Sequence, residues 1–125
     1  MKTTNYIRVE TNKNPHGIDA RKIHDNSHVQ VVHMLLKPGE HLKKHITAVD
    51  VFFYVLEGTG IVEIGDEKQE VVKDMLIDSP GEIPHCLYNE SNDIFRVLVV
   101  KTPNPTDHQN QQAIQNMLSN KKSKK

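Results

Sequence analysis

The feature that most constrains the fold of this chain is a series of short apolar runs, each closed by Gly, Pro or Asn, between residues 28 and 101. The runs are rich in Val, Ile, Leu and Phe, and none shows the periodicity of a helix of useful length. Many short strands at regular spacing are typical of a sandwich or a barrel. We therefore predict an all-β, antiparallel barrel of jelly-roll type, with strands at 28–37, 50–57, 61–64, 69–72, 75–78, 84–88 and 94–101.

The chain of 125 residues has the length of a single domain, and its two flanks are polar. Residues 1–27 are predicted to form an N-terminal arm, in which Tyr6-Ile7-Arg8-Val9 is a candidate edge strand. Residues 28–105 are predicted to form the barrel. Residues 106–125 are predicted to hold a short helix, which begins in a capping box at Thr106, and a basic solvated tail.

Charge and cysteine content argue against several classes of protein. The chain carries 16 basic and 16 acidic residues, whereas a nucleic-acid-binding domain usually has a basic excess on its folded part. The first residues lack the apolar region of a secretory signal, and no apolar run is long enough to cross a bilayer. Cys86 is the only cysteine, so an internal disulfide is excluded. We expect a cytoplasmic protein that binds neither nucleic acid nor a membrane.

Two segments, 38–58 and 78–89, carry histidines at a spacing that points to a shared site. The spaced residues are Gly39, His45 and Gly58 in the first segment, and Pro80, His85 and Asn89 in the second. The two segments, in this order and with strands between them, resemble the paired motifs of the cupin superfamily, and the chain is similar to its small single-domain members. The resemblance implies a cupin-type barrel, the double-stranded β-helix, with a metal site inside it.

The chain departs from the cupin pattern at two of four ligand positions. Thr47 stands where the family has a second His, and Val51 stands where it has a Glu, so only His45 and His85 remain as ligands. Imidazole nitrogens suit a divalent transition metal such as Zn, Mn, Fe or Ni. A catalytic metal site normally takes three protein ligands. His41 is the best third candidate on the chain, and Asp50 is the next.

The alternation of side chains along a strand predicts which residues share the pocket with His45. If His45 points inward, then Thr47, Val51 and Phe53 should point inward too, and Asp50 should point away unless a bulge shifts the register. His41 has the same parity as His45. These residues are the candidates for the pocket wall, together with Asn89, which is also explained as the residue that stabilises the turn after its strand.

Two hypotheses for function follow. In the first, a small cupin binds a divalent metal in the barrel and acts as a metal-dependent enzyme on a small molecule; neither the reaction nor a catalytic residue follows from the fold. In the second, a non-catalytic cupin has lost the metal site and binds a small molecule or serves as a structural module. The apolar stripe Phe52, Tyr54 and Leu56 on the outer face predicts either the interface of a homodimer, which we expect, or a contact with the N-terminal arm.

Overall fold

Nine β-strands in two sheets make up nearly all the regular structure of the computed structural model, which describes residues 1–106. One sheet has five strands in the order β1-β2-β9-β4-β7, and the other has four in the order β3-β8-β5-β6. Every strand pair is antiparallel. The strands are β1 (Asp19–Asp25), β2 (Gln30–Leu36), β3 (His41–His45), β4 (Asp50–Glu57), β5 (Thr59–Ile64), β6 (Glu67–Val72), β7 (Leu76–Ser79), β8 (His85–Tyr88) and β9 (Phe95–Thr102).

This architecture confirms the predicted all-β, antiparallel jelly-roll barrel. The C-terminal helix and tail are predicted for residues 106–125, of which residues 107–125 lie outside the described part of the chain. Among residues 1–106, no helix has the length and apolar character that crossing a bilayer requires.

The core lies between the two sheets, and alternation along the strands explains how it is filled. In β4, Val51, Phe53 and Val55 are buried, whereas the intervening side chains are only half-buried on the outer face. In β9 the inward set continues the same pattern, because Phe95 and Val97 are fully buried. The half-buried outer residues include the stripe from which a homodimer is predicted; that assembly stays a prediction.

The N-terminal region differs from its prediction at Tyr6-Ile7-Arg8-Val9. Tyr6–Arg8 form a short 3-10 turn, capped by the Asn5 side chain, which accepts a hydrogen bond from the Ile7 N–H. The edge of the larger sheet is instead β1, which the sequence did not reveal because four of its seven residues are charged and Ala20 is its only buried residue. Pairing with β2, rather than apolar alternation, makes this segment a strand.

A glycine is required at position 58 because the connection between β4 and β5 passes close to the backbone just before β9. Its φ of +81° lies in the left-handed region, and a Cβ at this position would collide with the backbone carbonyl of Ile94. Any other residue would therefore meet both backbone strain and a clash. The glycine allows the chain to turn directly from β4 into β5, and so from one sheet to the other.

His33 is buried on the outer face of the larger sheet beneath the N-terminal arm. Its side chain is 1% exposed. The Tyr6 ring stacks on the imidazole with ring centroids 3.7 Å apart, and Arg96 Nε donates a hydrogen bond of 3.0 Å to His33 Nε2. Arg21 holds the arm in place, because its guanidinium donates to the backbone carbonyls of the turn at Tyr6 and Ile7. The other ring nitrogen of His33, Nδ1, has no hydrogen-bond partner among the described residues.

We expect the stability of the protein to fall as the pH drops from about 6.5 to about 4, in part because of His33. Burial, and then the positive charge of Arg96, lower the pKa of His33 to about 4. An unfolded histidine has a pKa of about 6.5, so the unfolded state binds more protons between these values and gains stability as the pH falls. The contribution should reach up to about 1.4 kcal/mol per pH unit within this window.

Urea denaturation at several pH values tests this expectation. The slope of the free energy of unfolding against pH should be shallower in His33→Gln than in the wild type. His28→Gln, which changes an exposed loop residue, should keep the wild-type slope. Parallel curves for wild type and His33→Gln would contradict the assignment.

Candidate functional site

His45 and His85 lie opposite each other on two neighbouring strands of the smaller sheet. Strand β3 pairs with β8 so that the two histidines are direct partners in the register. Both rings enter the space between the sheets, where their Nε2 atoms are 3.2 Å apart. The rings meet edge to face, at an angle of 87°. Two imidazoles from distant parts of the chain are thereby brought to one point.

Hydrogen bonds on the far side of each ring fix its orientation. Nδ1 of His45 is 2.8 Å from the carbonyl oxygen of Lys43, which can only accept, so Nδ1 carries a proton and Nε2 of the neutral ring has a free lone pair. Nδ1 of His85 is 2.8 Å from the hydroxyl of Ser79, which can donate or accept. Ser79 is itself 1% exposed. No sequence pattern singles out Ser79, because its contact with His85 depends on where β7 ends relative to the start of β8 in the folded chain.

The surroundings of His85 keep this ring neutral. The residue is 2% exposed, and the edge of its ring meets Phe53 with centroids 5.4 Å apart. Burial lowers the pKa of His85 to about 4, and the nearby His45 and Lys101 act in the same direction. At neutral pH the ring therefore has one nitrogen lone pair to offer, either to the Ser79 hydroxyl or to a partner in the cavity.

The pair faces a cavity of about 370 Å³. Its walls come from β1, β2, β3, β4, β8 and β9 and from the loop before β1. The apolar part includes Val32, Met34 and Phe53. The lining contains no Asp or Glu among the described residues, whereas the basic and imidazole side chains on it are Lys13, Lys22, Lys101, His16, His45 and His85.

His16 is a third imidazole near the pair that sequence patterns did not single out. It lies in the loop before β1, half-buried, with its ring centroid 5.5 Å from that of His45. Its Nδ1 accepts a hydrogen bond of 3.1 Å from the backbone N–H of Lys43. In the neutral ring the proton is then on Nε2, so His16 is a hydrogen-bond donor in this arrangement and not a metal ligand.

The structure does not bring His41 to the pair. A β-bulge between Leu42 and His45 breaks the alternation of β3, so that Leu42 and His45 both line the cavity. His41 is consequently exposed on the opposite face, where its ring stacks on that of Tyr88 at 6.1 Å. The expectation that residues 41 and 45 share a face is wrong for this physical reason.

Asp50 and Asn89 also lie away from the cavity. Asp50 is exposed, as its parity predicts, and its carboxylate accepts a hydrogen bond of 2.8 Å from the backbone N–H of Gly81. Asn89 is 1% exposed and donates its amide protons to the backbone carbonyls of Leu36 and Asp93. Both side chains hold loops in place.

Of the three remaining predicted wall residues, one lines the cavity, one belongs to the core and one lies in a connection between strands. Phe53 lines the cavity beside His85. Val51 is 3% exposed and belongs to the apolar core. Thr47 is half-buried in the connection between β3 and β4, outside the lining, where its backbone carbonyl accepts a hydrogen bond from the N–H of Glu82.

The spacing of the two Nε2 atoms fits a transition metal that takes two ligands from the protein. Two nitrogens bound to one tetrahedral metal at the usual bond length are about 3.3 Å apart, and the two Nε2 atoms are separated by 3.2 Å. No group of three or more His, Cys, Asp or Glu side chains within residues 1–106 is arranged to hold a metal ion. Further ligands would therefore have to come from bound small molecules or solvent.

A two-sheet antiparallel barrel with a histidine pair inside it defines a protein of the cupin class. A family model described as a cupin domain matches residues 32–101, which is more than half of the chain. The chain belongs to this cupin domain family, as the resemblance of its motifs implied.

Comparisons with individual proteins agree with this assignment. The chain is 27% identical over 85 residues to the uncharacterized protein MJ0764 of Methanocaldococcus jannaschii, an alignment that covers 67% of this chain and 73% of the relative. The crystal structure of that relative, an RmlC-like cupin with a double-stranded β-helix fold, aligns with a TM-score of 0.69 at 22% identity over 81% of this chain and 94% of the other.

Two further solved structures are similar. TT1209 from Thermus thermophilus aligns with a TM-score of 0.73 at 27% identity, over 84% of this chain and 100% of that one. The polyketide cyclase RemF from Streptomyces resistomycificus aligns with a TM-score of 0.73 at 22% identity, over 83% of this chain and 80% of that one. At 22% identity the likeness to RemF concerns the fold alone.

Proposed function

We propose that the protein binds a small molecule in the barrel cavity, and that a divalent transition metal such as Zn, Mn, Fe or Ni, held by Nε2 of His45 and Nε2 of His85, anchors it. The observation that carries the proposal is the separation of 3.2 Å between these two nitrogens, each on a ring whose other nitrogen is already engaged. Such outer hydrogen bonds are the usual means by which a protein orients metal-binding histidines.

The protein residues around the pair have distinct tasks in this proposal. The Lys43 carbonyl and the Ser79 hydroxyl hold the two rings, and Phe53 packs against His85 and limits its movement. A bound metal would act as a Lewis acid toward an oxygen of the small molecule. The cavity of about 370 Å³ falls in the range typical of small-molecule sites. The same fold supports a polyketide cyclase in RemF, although a shared fold does not select a reaction.

Elemental analysis of the purified protein tests the metal. We expect a near-stoichiometric content of one transition metal, or uptake of Zn, Mn, Ni or Fe by protein that has been stripped with a chelator. Binding should raise the Tm by about 10 °C at a free metal concentration about 100 times the Kd. Metal-free protein whose Tm does not change on addition of any of these metals would overturn the metal part of the proposal.

A second candidate is a cupin that binds its small molecule without metal, and one specific observation favours it. Three hydrogen bonds in series join the Ser79 hydroxyl to His85, His85 to His45, and His45 to the Lys43 carbonyl. Together these bonds satisfy all four nitrogens of the two rings. A buried polar pair that is fully hydrogen-bonded needs no further partner. If no metal is needed, the affinity for the small molecule should be the same before and after treatment with a chelator. If the site depends on metal, chelation should abolish small-molecule binding.

A further inference from the structure

We propose that the small molecule bound in the cavity is a carboxylate with a compact apolar body, and that the ammonium group of Lys101 binds its carboxylate. This inference rests on the proposed function in one respect, namely that the barrel cavity is the ligand site. The observation behind it is a half-buried lysine on the cavity wall that forms no salt bridge with any of the described residues.

The position of Lys101 follows from the alternation of β9. Val97 and Val99 are buried and point inward, and Lys101 is the next residue of the same parity. Its cross-strand neighbours are Gln30 on β2 and Val51 on β4, neither of which carries a charge. The ammonium group is therefore directed into the barrel by residues that cannot neutralise it.

The charges around the cavity strengthen this conclusion. Lys22, which also lines the cavity, has a carboxylate partner, because its Nζ is 3.5 Å from Asp25 Oδ2. Lys101 has no such partner among residues 1–106, and burial together with the charge of Lys22 lowers its pKa. A cation removed from water is unfavourable unless an anion compensates it. Because the described wall residues include no acidic side chain, a carboxylate on the ligand would supply the compensating charge in place of water.

The rest of the wall indicates what the carboxylate is attached to. Gln30 lines the cavity beside Lys101 and brings an amide that can donate to the same anion. Val32, Met34 and Val99 form apolar surface nearby. The volume of about 370 Å³ admits a body of a few carbon atoms or one aromatic ring. Lys101, His45 and His85 line the same cavity, so one small ligand can face the lysine and the histidine pair together.

Calorimetric titration of the full chain with matched probes tests the proposal. The probes are butanoate and benzoate, their neutral amides butanamide and benzamide, and inorganic phosphate. We expect the carboxylates to bind at least about tenfold more tightly than the amides, since a hydrogen bond to a charged group is worth more than a neutral one. Equal affinity for acid and amide, tighter binding of phosphate than of either carboxylate, or no saturable binding of a carboxylate at millimolar concentration would overturn it.

Substitution of the lysine assigns the effect to a residue. Lys101→Met should weaken carboxylate binding by about tenfold or more and leave amide binding unchanged. Lys73→Met, which changes an exposed lysine in the turn after β6, should bind as the wild type does. Unchanged carboxylate affinity in Lys101→Met would overturn the role of Lys101.

The two proposals can fail separately. Metal content and carboxylate binding are measured on the same preparations. A metal content near zero with carboxylate binding intact would overturn the proposed metal and keep the proposed anion site. A stoichiometric metal content in protein that binds acid and amide equally would overturn the proposed anion site and keep the proposed metal. The acid–amide comparison uses the wild-type protein, so it does not depend on the folding of a variant.

Discussion

Replacement of either His45 or His85 by alanine is expected to abolish metal uptake. The two Nε2 atoms lie 3.2 Å apart on side chains that line the cavity, and they are the two protein ligands of the proposed metal site. One remaining imidazole cannot chelate, and loss of even an outer hydrogen bond to a ligand commonly costs 10–100-fold in metal affinity. We expect the loss of a ligand to exceed about 100-fold, measured by elemental analysis and by metal titration of stripped protein.

His41→Ala is the matched control for these two variants. His41 lies on the same strand as His45, and its place in the sequence makes it a candidate ligand, but its ring is on the outer face against Tyr88. This variant should keep the wild-type metal content. Equal retention in all three variants would place the metal elsewhere on the chain, and loss in His41→Ala alone would place it at His41 instead of at the histidine pair.

Asn89→Ala is expected to lower the free energy of unfolding by about 3 kcal/mol. The side chain is 1% exposed and donates to the Leu36 carbonyl at 2.8 Å and to the Asp93 carbonyl at 2.7 Å. Its Oδ1 also accepts a hydrogen bond of 2.7 Å from the Ser91 hydroxyl. Alanine would remove the Asn89 donor from the buried Leu36 carbonyl and the Asn89 acceptor from the Ser91 N–H and hydroxyl, and each unsatisfied buried group costs about 1–3 kcal/mol.

Urea denaturation at constant pH measures the effect. Asn92→Ala changes an exposed residue of the same turn and should shift the free energy of unfolding by less than about 0.5 kcal/mol. A loss for Asn89→Ala as small as this control would show that the bonds to Leu36 and Asp93 are replaced by water and contribute little.

Strand positions and faces were largely predictable because they depend on neighbouring residues. The run 50–57 is a strand with the predicted bounds, and Val51 and Phe53 point inward as their parity requires. The inward direction of Lys101 follows from the same rule, since it continues the series of Val97 and Val99. Applied to β9, that reasoning would have found the lysine from the sequence.

Other parts of the site were beyond sequence reasoning for physical reasons. The bulge in β3, which separates His41 from His45, reflects the pairing of β3 with β8 and leaves no mark in the residues 41–45 themselves. His16 approaches His45 because its loop packs over β3 and receives the backbone N–H of Lys43. Ser79 reaches His85 because β7 ends beside the start of β8.

By itself the sequence determined that this protein is a β-barrel of the cupin class and which faces of most strands are buried. Those properties follow from side-chain alternation and turn residues, which act over a few positions of the chain. Only the tertiary structure decided which side chains come together at the cavity: a pair of histidines 40 residues apart, a serine, and a lysine that has no acidic partner among residues 1–106. Contacts of this kind depend on strand register and on bulges, which are set by hydrogen bonds and packing between distant segments of the chain.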